Sequence, residues 1–159
     1  MVIRTMRGQL SHFLKKLPAL EDTPERIARA FALGVFLAFS PLIGLHVVLG
    51  FGLAFFCGLN RLAMLLGLFI NNPLTLIPIY VAGTYVGGLL LGFPQMPALP
   101  SFELRLLGSV DFWRQLAGQW HILKPMGVGA FILSIFLSPF SYIAALTLIR
   151  QRRTHQVKP

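Results

Sequence analysis

The sequence predicts an all-α fold: a small polytopic membrane protein with broken or re-entrant transmembrane helices and interfacial amphipathic helices. Three observations carry that expectation. First, 55% of the 159 residues are hydrophobic and only 12% are charged, against ~25% charged in ordinary soluble domains; mean hydropathy is +0.72. Second, residues 30–60, 62–102 and 125–149 contain no Asp, Glu, Lys or Arg, and each run exceeds the ~18 uncharged apolar residues of a transmembrane candidate. Third, Ser40-Pro41, Asn72-Pro73 and Ser138-Pro139 interrupt those runs. Ser or Asn ahead of Pro is the chemistry of a helix start, because the side chain caps the free N–H groups and proline has none to lose.

In chain order, residues 1–22 form a basic N-terminal segment. Leu10, Phe13, Leu14 and Leu17 share one helical stripe, with His12, Lys15 and Lys16 off it. This fits a short amphipathic helix, lying either in the membrane interface or on the protein's own surface. Thr23 is the expected N-cap of the next helix, with Pro24 at its first position and Glu25 at the positive end of its dipole.

Residues 23–93 hold two apolar blocks, Ile27–Gly58 and Leu62–Phe93, each of 32 residues. A straight helix of that length is ~48 Å long, too much for a hydrocarbon core of ~30 Å, so each block is expected to break at its proline. "GVFLAFSPLIGL" (34–45) and "GLFINNPLTLIP" (67–78) also align as a weak internal repeat.

Residues 94–124 read as a connector. After the prolines at 94, 97 and 100, the spacing of Phe102, Leu106, Val110, Trp113, Ala117 and Trp120 suits a helix at headgroup level beside Arg105, Arg114 and Lys124. Residues 125–149 are the last transmembrane segment; its apolar run Met126–Ile149, ~36 Å as a helix, fits one tilted span. Residues 150–159 are a basic tail, and the whole chain is one membrane domain.

Net charge is +9, and ten of the 14 basic residues lie before residue 30 or after residue 149. They flank apolar blocks and form no patterned reader, which argues against nucleic-acid binding and for cytoplasmic termini touching anionic headgroups. Two cytoplasmic ends require an even number of full crossings. Block one is therefore expected to be an in-and-out hairpin of Ile27–Ser40 and Leu42–Gly58, ~21 and ~25 Å long, with residues 94–101 on the periplasmic side. The N-terminal apolar block starts too late and runs too long for a signal peptide. Cys57 stands alone, so no disulfide framework is encoded.

Breaking a helix at membrane depth leaves N–H and C=O groups that lipid cannot satisfy, at several kcal/mol each. Ser40, Asn71, Asn72 and Thr75 supply donors and acceptors where the breaks fall. Helix N-termini after Pro41 and Pro73 would favour an anionic group. His46 is an ionisable group inside the first block, either a functional residue or a neutral imidazole bonded to a neighbouring helix. Arg61 either snorkels to the headgroups or faces inward toward an anion near Asn72. The competing reading of the breaks is architectural: proline-kinked helices re-satisfied by nearby Ser, Thr and Asn.

Enzymatic chemistry is poorly represented. The five acids, Glu21, Asp22, Glu25, Glu103 and Asp111, lie outside the apolar blocks, and no metal-ligand spacing, phosphate loop or nucleophile motif occurs. No catalytic residue, metal or cofactor is expected.

"PERIARAFALGVFLAFSPLIGLH" (24–46) and "GLNRLAMLLGLFINNPLTLIPIYVAGTYVGGLLLG" (58–92) resemble the bacterial membrane family catalogued as domain of unknown function 2062. The Asn72-Pro73-x-Thr75 element is the most specific part, and Asn60 and Tyr80 belong to the same pattern. At position 46 members often carry Gln, so the resemblance does not support a chemistry specific to histidine. It implies a multi-pass protein of the bacterial inner membrane, from a family whose members occur alone or fused to lipid-linked glycosyltransferase domains.

Residues and resemblance together make Ser40, His46, Asn60, Arg61, Asn71, Asn72, Thr75 and Tyr80 the candidate substrate-binding set. The expected function is transport or handling of an anionic lipid headgroup or small solute at the proline-broken helices. Membrane lipids are the expected partners, and a homo-oligomer would enclose the path. The alternative is a structural or adaptor protein that recruits a partner such as a lipid-linked glycosyltransferase.

Overall fold

The computed structural model describes residues 20–40, 45–93, 110, 118 and 120–156. Among them there are five helices and no strands: α1 (Pro24–Phe39), α2 (Leu45–Phe56), α3 (Arg61–Leu68), α4 (Pro73–Leu91) and α5 (Trp120–Gln156). The expected amphipathic helix at 8–20, the periplasmic position of 94–101 and most of the 94–124 connector lie outside the described residues.

α1 begins as the sequence dictates. Thr23 Oγ1 accepts from Arg26 N–H at 3.4 Å, and Pro24 occupies the first position. The helix ends at Ser40, ~24 Å along. α2 then returns, because Gly58, just past its end, accepts from the Arg26 guanidinium at the start of α1. Block one is thus a hairpin whose two ends meet. Gly58 takes a φ of 61°, a left-handed conformation that glycine adopts at little cost, and it turns the chain into α3.

α3 runs parallel to α1. Asn60 caps it, with Oδ1 accepting from Ala63 N–H at 2.9 Å. The two helices cross at Gly34 and Gly67, close enough that a methyl on Gly34 would fall 2.9 Å from Gly67 Cα. Close backbone approach through small residues maximises dispersion contact between the two helices.

After a break at residues 69–72 the chain continues as α4. α5, 37 residues and ~55 Å long, runs antiparallel beside both halves. Its first part meets α4 at a glycine crossing, where a methyl on Gly87 would lie 2.9 Å from Gly129 N. Farther along, Phe131 meets Phe36 edge-on at 6.0 Å, and Ser138 Oγ donates to Ala32 C=O at 3.0 Å. The core gathers Ile27, Phe31 and Val35 of α1, Met64 and Leu68 of α3, and Ala145 and Ile149 of α5.

One expectation needs correction. Ser138-Pro139 does not start a helix: α5 runs straight through Pro139, and through Pro125 as well. Ser138 bonds across to α1 instead of capping its own chain. The expected last segment, 125–149, lies within this helix, which runs from Trp120 to Gln156. Ser40 closes α1, its hydroxyl donating back to Leu37 C=O at 2.7 Å; the helix start expected after Pro41 falls on residues 41–44, outside the described residues.

One helix among the described residues, over His121–Thr154, is long and apolar enough to cross a membrane, with a mean hydropathy of 2.0; Leu45–Phe56 and Thr75–Leu91 are shorter apolar helices.

Candidate functional site

The two breaks come together. Asn71, in the α3–α4 break, donates from Nδ2 to Ala38 C=O in the last turn of α1 at 2.9 Å. Ser40 is buried beside it in sequence, at the end of the same helix. The chain closes its own loose ends at Asn72 and Thr75. Asn72 Oδ1 accepts from Thr75 N–H at 3.2 Å, and Thr75 Oγ1 accepts from Asn72 N–H at 2.9 Å. This is a reciprocal cap of the α4 N-terminus. The Thr75 hydroxyl hydrogen goes to Ile70 C=O, which returns a partner to the end of α3.

Two side-chain atoms at this junction are buried without a hydrogen-bond partner, Asn71 Oδ1 and Tyr80 Oη. Tyr80 lies two turns into α4, is 3% exposed, and sits beside the Asn71 amide. Because Asn71 Nδ2 is committed to Ala38, its carbonyl oxygen must point into the junction; flipping the amide would set two oxygens against each other.

Asn60 and Arg61 lie elsewhere, at the opposite end of α3. Asn60 caps that helix and also donates from Nδ2 to Asp22 Oδ2 at 3.3 Å. Arg61 is exposed, with its guanidinium 5.4 Å from the centre of the Phe55 ring; of its two predicted roles, the inward one toward Asn72 is excluded by position. His46 is half-buried in the first turn of α2. The structure therefore joins Ser40, Asn71, Asn72, Thr75 and Tyr80 at one junction and leaves Asn60 and Arg61 outside it.

A second polar cluster, unforeseen from sequence, binds the chain's two ends. Asp22 is its centre. The Asp22 carboxylate receives Thr23 N–H at 2.8 Å and pairs with Arg26 at 3.7 Å, and the Asp22 carbonyl accepts from Arg153 at 2.8 Å. Arg153 also donates to Leu20 C=O at 2.6 Å. Arg150 pairs with Glu25 at 2.6 Å, and that guanidinium holds the Glu25 carboxyl below its ordinary value. The only advance signal was charge complementarity between the acids at 21–25 and the basic tail, which had been assigned wholly to lipid.

These features define an all-helical protein with two helix breaks joined by side-chain hydrogen bonds. The profile of a family described as uncharacterised and conserved in bacteria, domain of unknown function 2062, matches residues 8–158, and the chain belongs to that family. No curated protein and no solved structure matches it. Among the described residues no three His, Cys, Asp or Glu side chains gather as a metal would require.

Proposed function

We propose that this is a multi-pass bacterial inner-membrane protein that handles a small polar solute or lipid headgroup at the junction of its broken helices. In this reading α1 and α2 form a re-entrant hairpin, α3 and α4 cross the bilayer as one interrupted path, and α5 crosses beside them. Both ends then lie in the cytoplasm. Broad apolar exposure supports the arrangement. Val48 is 69% exposed and Phe56 86%, and Ile135, Phe136, Phe140 and Ile143 of α5 are exposed too. Surfaces of that kind call for lipid or another protein. Arg29, Arg61, Arg150 and Arg152, all exposed, collect at the end that holds Asp22 and Arg153, as a cytoplasmic face would.

The observation that carries the functional reading is the Asn71–Ala38 hydrogen bond. It brings two interruptions of separate apolar blocks to one place, and non-helical backbone at membrane depth is tolerated only where protein or a wet cavity shelters it. The test is flux of a small solute, or flip of a headgroup-labelled lipid, in vesicles containing the purified protein. Asn71→Ala is expected to abolish the flux at normal levels of folded protein; unchanged rates would refute the reading. The exposed basic end favours the adaptor alternative, which predicts no flux and loss of partner capture when Arg61 and Arg152 are neutralised.

A further inference from the structure

Resting on the membrane placement in that reading, we infer that the corner where α2 turns into α3 binds one anionic phospholipid, with its phosphodiester at Arg61 and an acyl chain along α2.

The charge at the corner selects the headgroup. Arg61 is exposed, and its guanidinium lies 5.4 Å from the centre of the Phe55 ring. Among the described residues no acid pairs with it. Glu25 is paired with Arg150. Asp22, which Asn60 ties to the start of α3, already receives Thr23 N–H, the Arg26 guanidinium and the Asn60 amide. Arg26 brings a second guanidinium to the same corner by donating to Gly58 C=O. Two arginines therefore stand against one acid whose oxygens are occupied. A phosphodiester matches a guanidinium, because it accepts two parallel N–H bonds. A zwitterionic headgroup would bring a cation as well. The corner has no group to receive one, since Asp22 is spent and the Phe55 ring already carries Arg61. An anionic headgroup leaves no such misfit.

The helix α2 supplies the apolar half. Only Gly50 and Ala54 of its 12 residues are buried. Val48, Gly52, Phe55 and Phe56 share one side at helical spacing; Val48 is 69% exposed, Phe55 65% and Phe56 86%. Gly52 has no side chain, and nothing lies within 4 Å of where one would begin. It leaves a notch between Val48 and Phe56, which lie one turn to either side. The stripe leads from that notch to Phe55 and so to Arg61. As a helix of 12 residues, α2 is ~18 Å long, close to the ~15 Å depth of one leaflet of a ~30 Å hydrocarbon core. One phospholipid thus meets both needs at once: its chain covers the notch and the rings, and its phosphate reaches the arginine. The anionic group expected from sequence at the helix breaks is thereby placed at the opposite end of α3 from the Asn71–Ala38 bond.

The experiment uses the full-length protein with a bimane fluorophore on Cys57, the single cysteine of the chain, which is exposed next to Phe56. The protein is reconstituted in phosphatidylcholine vesicles holding a fixed fraction of spin-labelled lipid. That lipid is either phosphatidylglycerol or phosphatidylcholine, with the nitroxide on the same acyl carbon. The two quenching curves give a relative binding constant. Phosphatidylglycerol is expected to be preferred about fivefold, the effect of one arginine at an anionic surface. Arg61→Gln should bring the ratio to about one, and Gly52→Leu, which fills the notch, should lower it. Arg152→Gln removes an exposed arginine from the same end and should leave the ratio unchanged. Unaltered melting temperatures establish that the variants fold. Strong quenching by both lipids without preference would mean that the corner meets lipid but does not select it. A preference that survives Arg61→Gln, or that falls equally in Arg152→Gln, would mean diffuse surface charge. Each of these overturns the inference and leaves the membrane placement standing. Quenching by neither lipid would overturn the inference together with the placement of this corner in the bilayer.

Discussion

Gly34 and Gly67 face each other where α1 crosses α3, and their surroundings are interchangeable. A methyl on Gly34 would meet Gly67 Cα at 2.9 Å and Leu68 N at 3.0 Å; one on Gly67 would meet Gly34 Cα and Val35 N, each at 2.9 Å. Phe31 and Met64 hold matching places one turn earlier. The two helices are thus related locally by a two-fold axis running along them, and the glycines it pairs are those that align in the 34–45 and 67–78 segments.

Backbone lines both sides of this crossing, so neither side can yield cheaply. Gly34→Ala and Gly67→Ala should each destabilise the fold by ~1–3 kcal/mol, the usual cost of overpacking. Gly52→Ala, with nothing within 4 Å of the added carbon, should be neutral or slightly stabilising through helix propensity. Unfolding of the three variants in detergent measures the difference.

Thr75 is expected to matter through its cap. Thr75→Val keeps the shape but removes the acceptor for Asn72 N–H and the donor to Ile70 C=O. A loss of ~1–2 kcal/mol is expected, while Thr75→Ser should retain most of the stability. Thermal melts of both variants decide it; equal losses would show that the hydroxyl does not act as a cap.

Ser138→Ala should cost ~0.5–2 kcal/mol by deleting the bond to Ala32 C=O, in line with measured interhelical hydrogen bonds in membranes. Pro139→Ala, by contrast, should leave α5 unbroken and the fold intact. Unfolding measurements paired with helical content by circular dichroism would separate these effects.

The Glu25–Arg150 pair sets a pH response. The Glu25 carboxyl in the folded protein titrates below its ordinary value. Its contribution is therefore fully present above the unfolded carboxyl value of ~4.3 and is lost as pH falls through the lower folded value. Both partners are substantially exposed, so the effect should be small and should shrink in high salt. Melting temperature against pH for wild type and Glu25→Gln checks this; the variant's curve should be flatter on the acid side.

Much of the fold was legible because its signals are local. Thr23-Pro24 and Asn72-Pro73 begin helices through interactions within one turn, and a 32-residue apolar block is too long to stay straight in a thin solvent. The hairpin in block one followed from that mismatch. Pro139 misled because a proline in a helix removes one bond but does not by itself end the helix; α5 is held on both sides of it by α1, and sequence carries no record of that support. The bond from Asn71 to Ala38 depends on the register between α1 and the α3–α4 break, which nothing in the 70–78 stretch specifies. Asp22 was overlooked for a similar reason, since its partners lie 38 and 131 residues away.

That last separation has a bearing on biogenesis. The clasp between residues 20–25 and Arg150 and Arg153 joins the first described helix to the last. Until α5 emerges, the hairpin waits without Ser138 against Ala32 or Phe131 against Phe36. The hairpin therefore cannot complete its packing until α5 has been made, since Ser138 lies 106 residues beyond its partner Ala32.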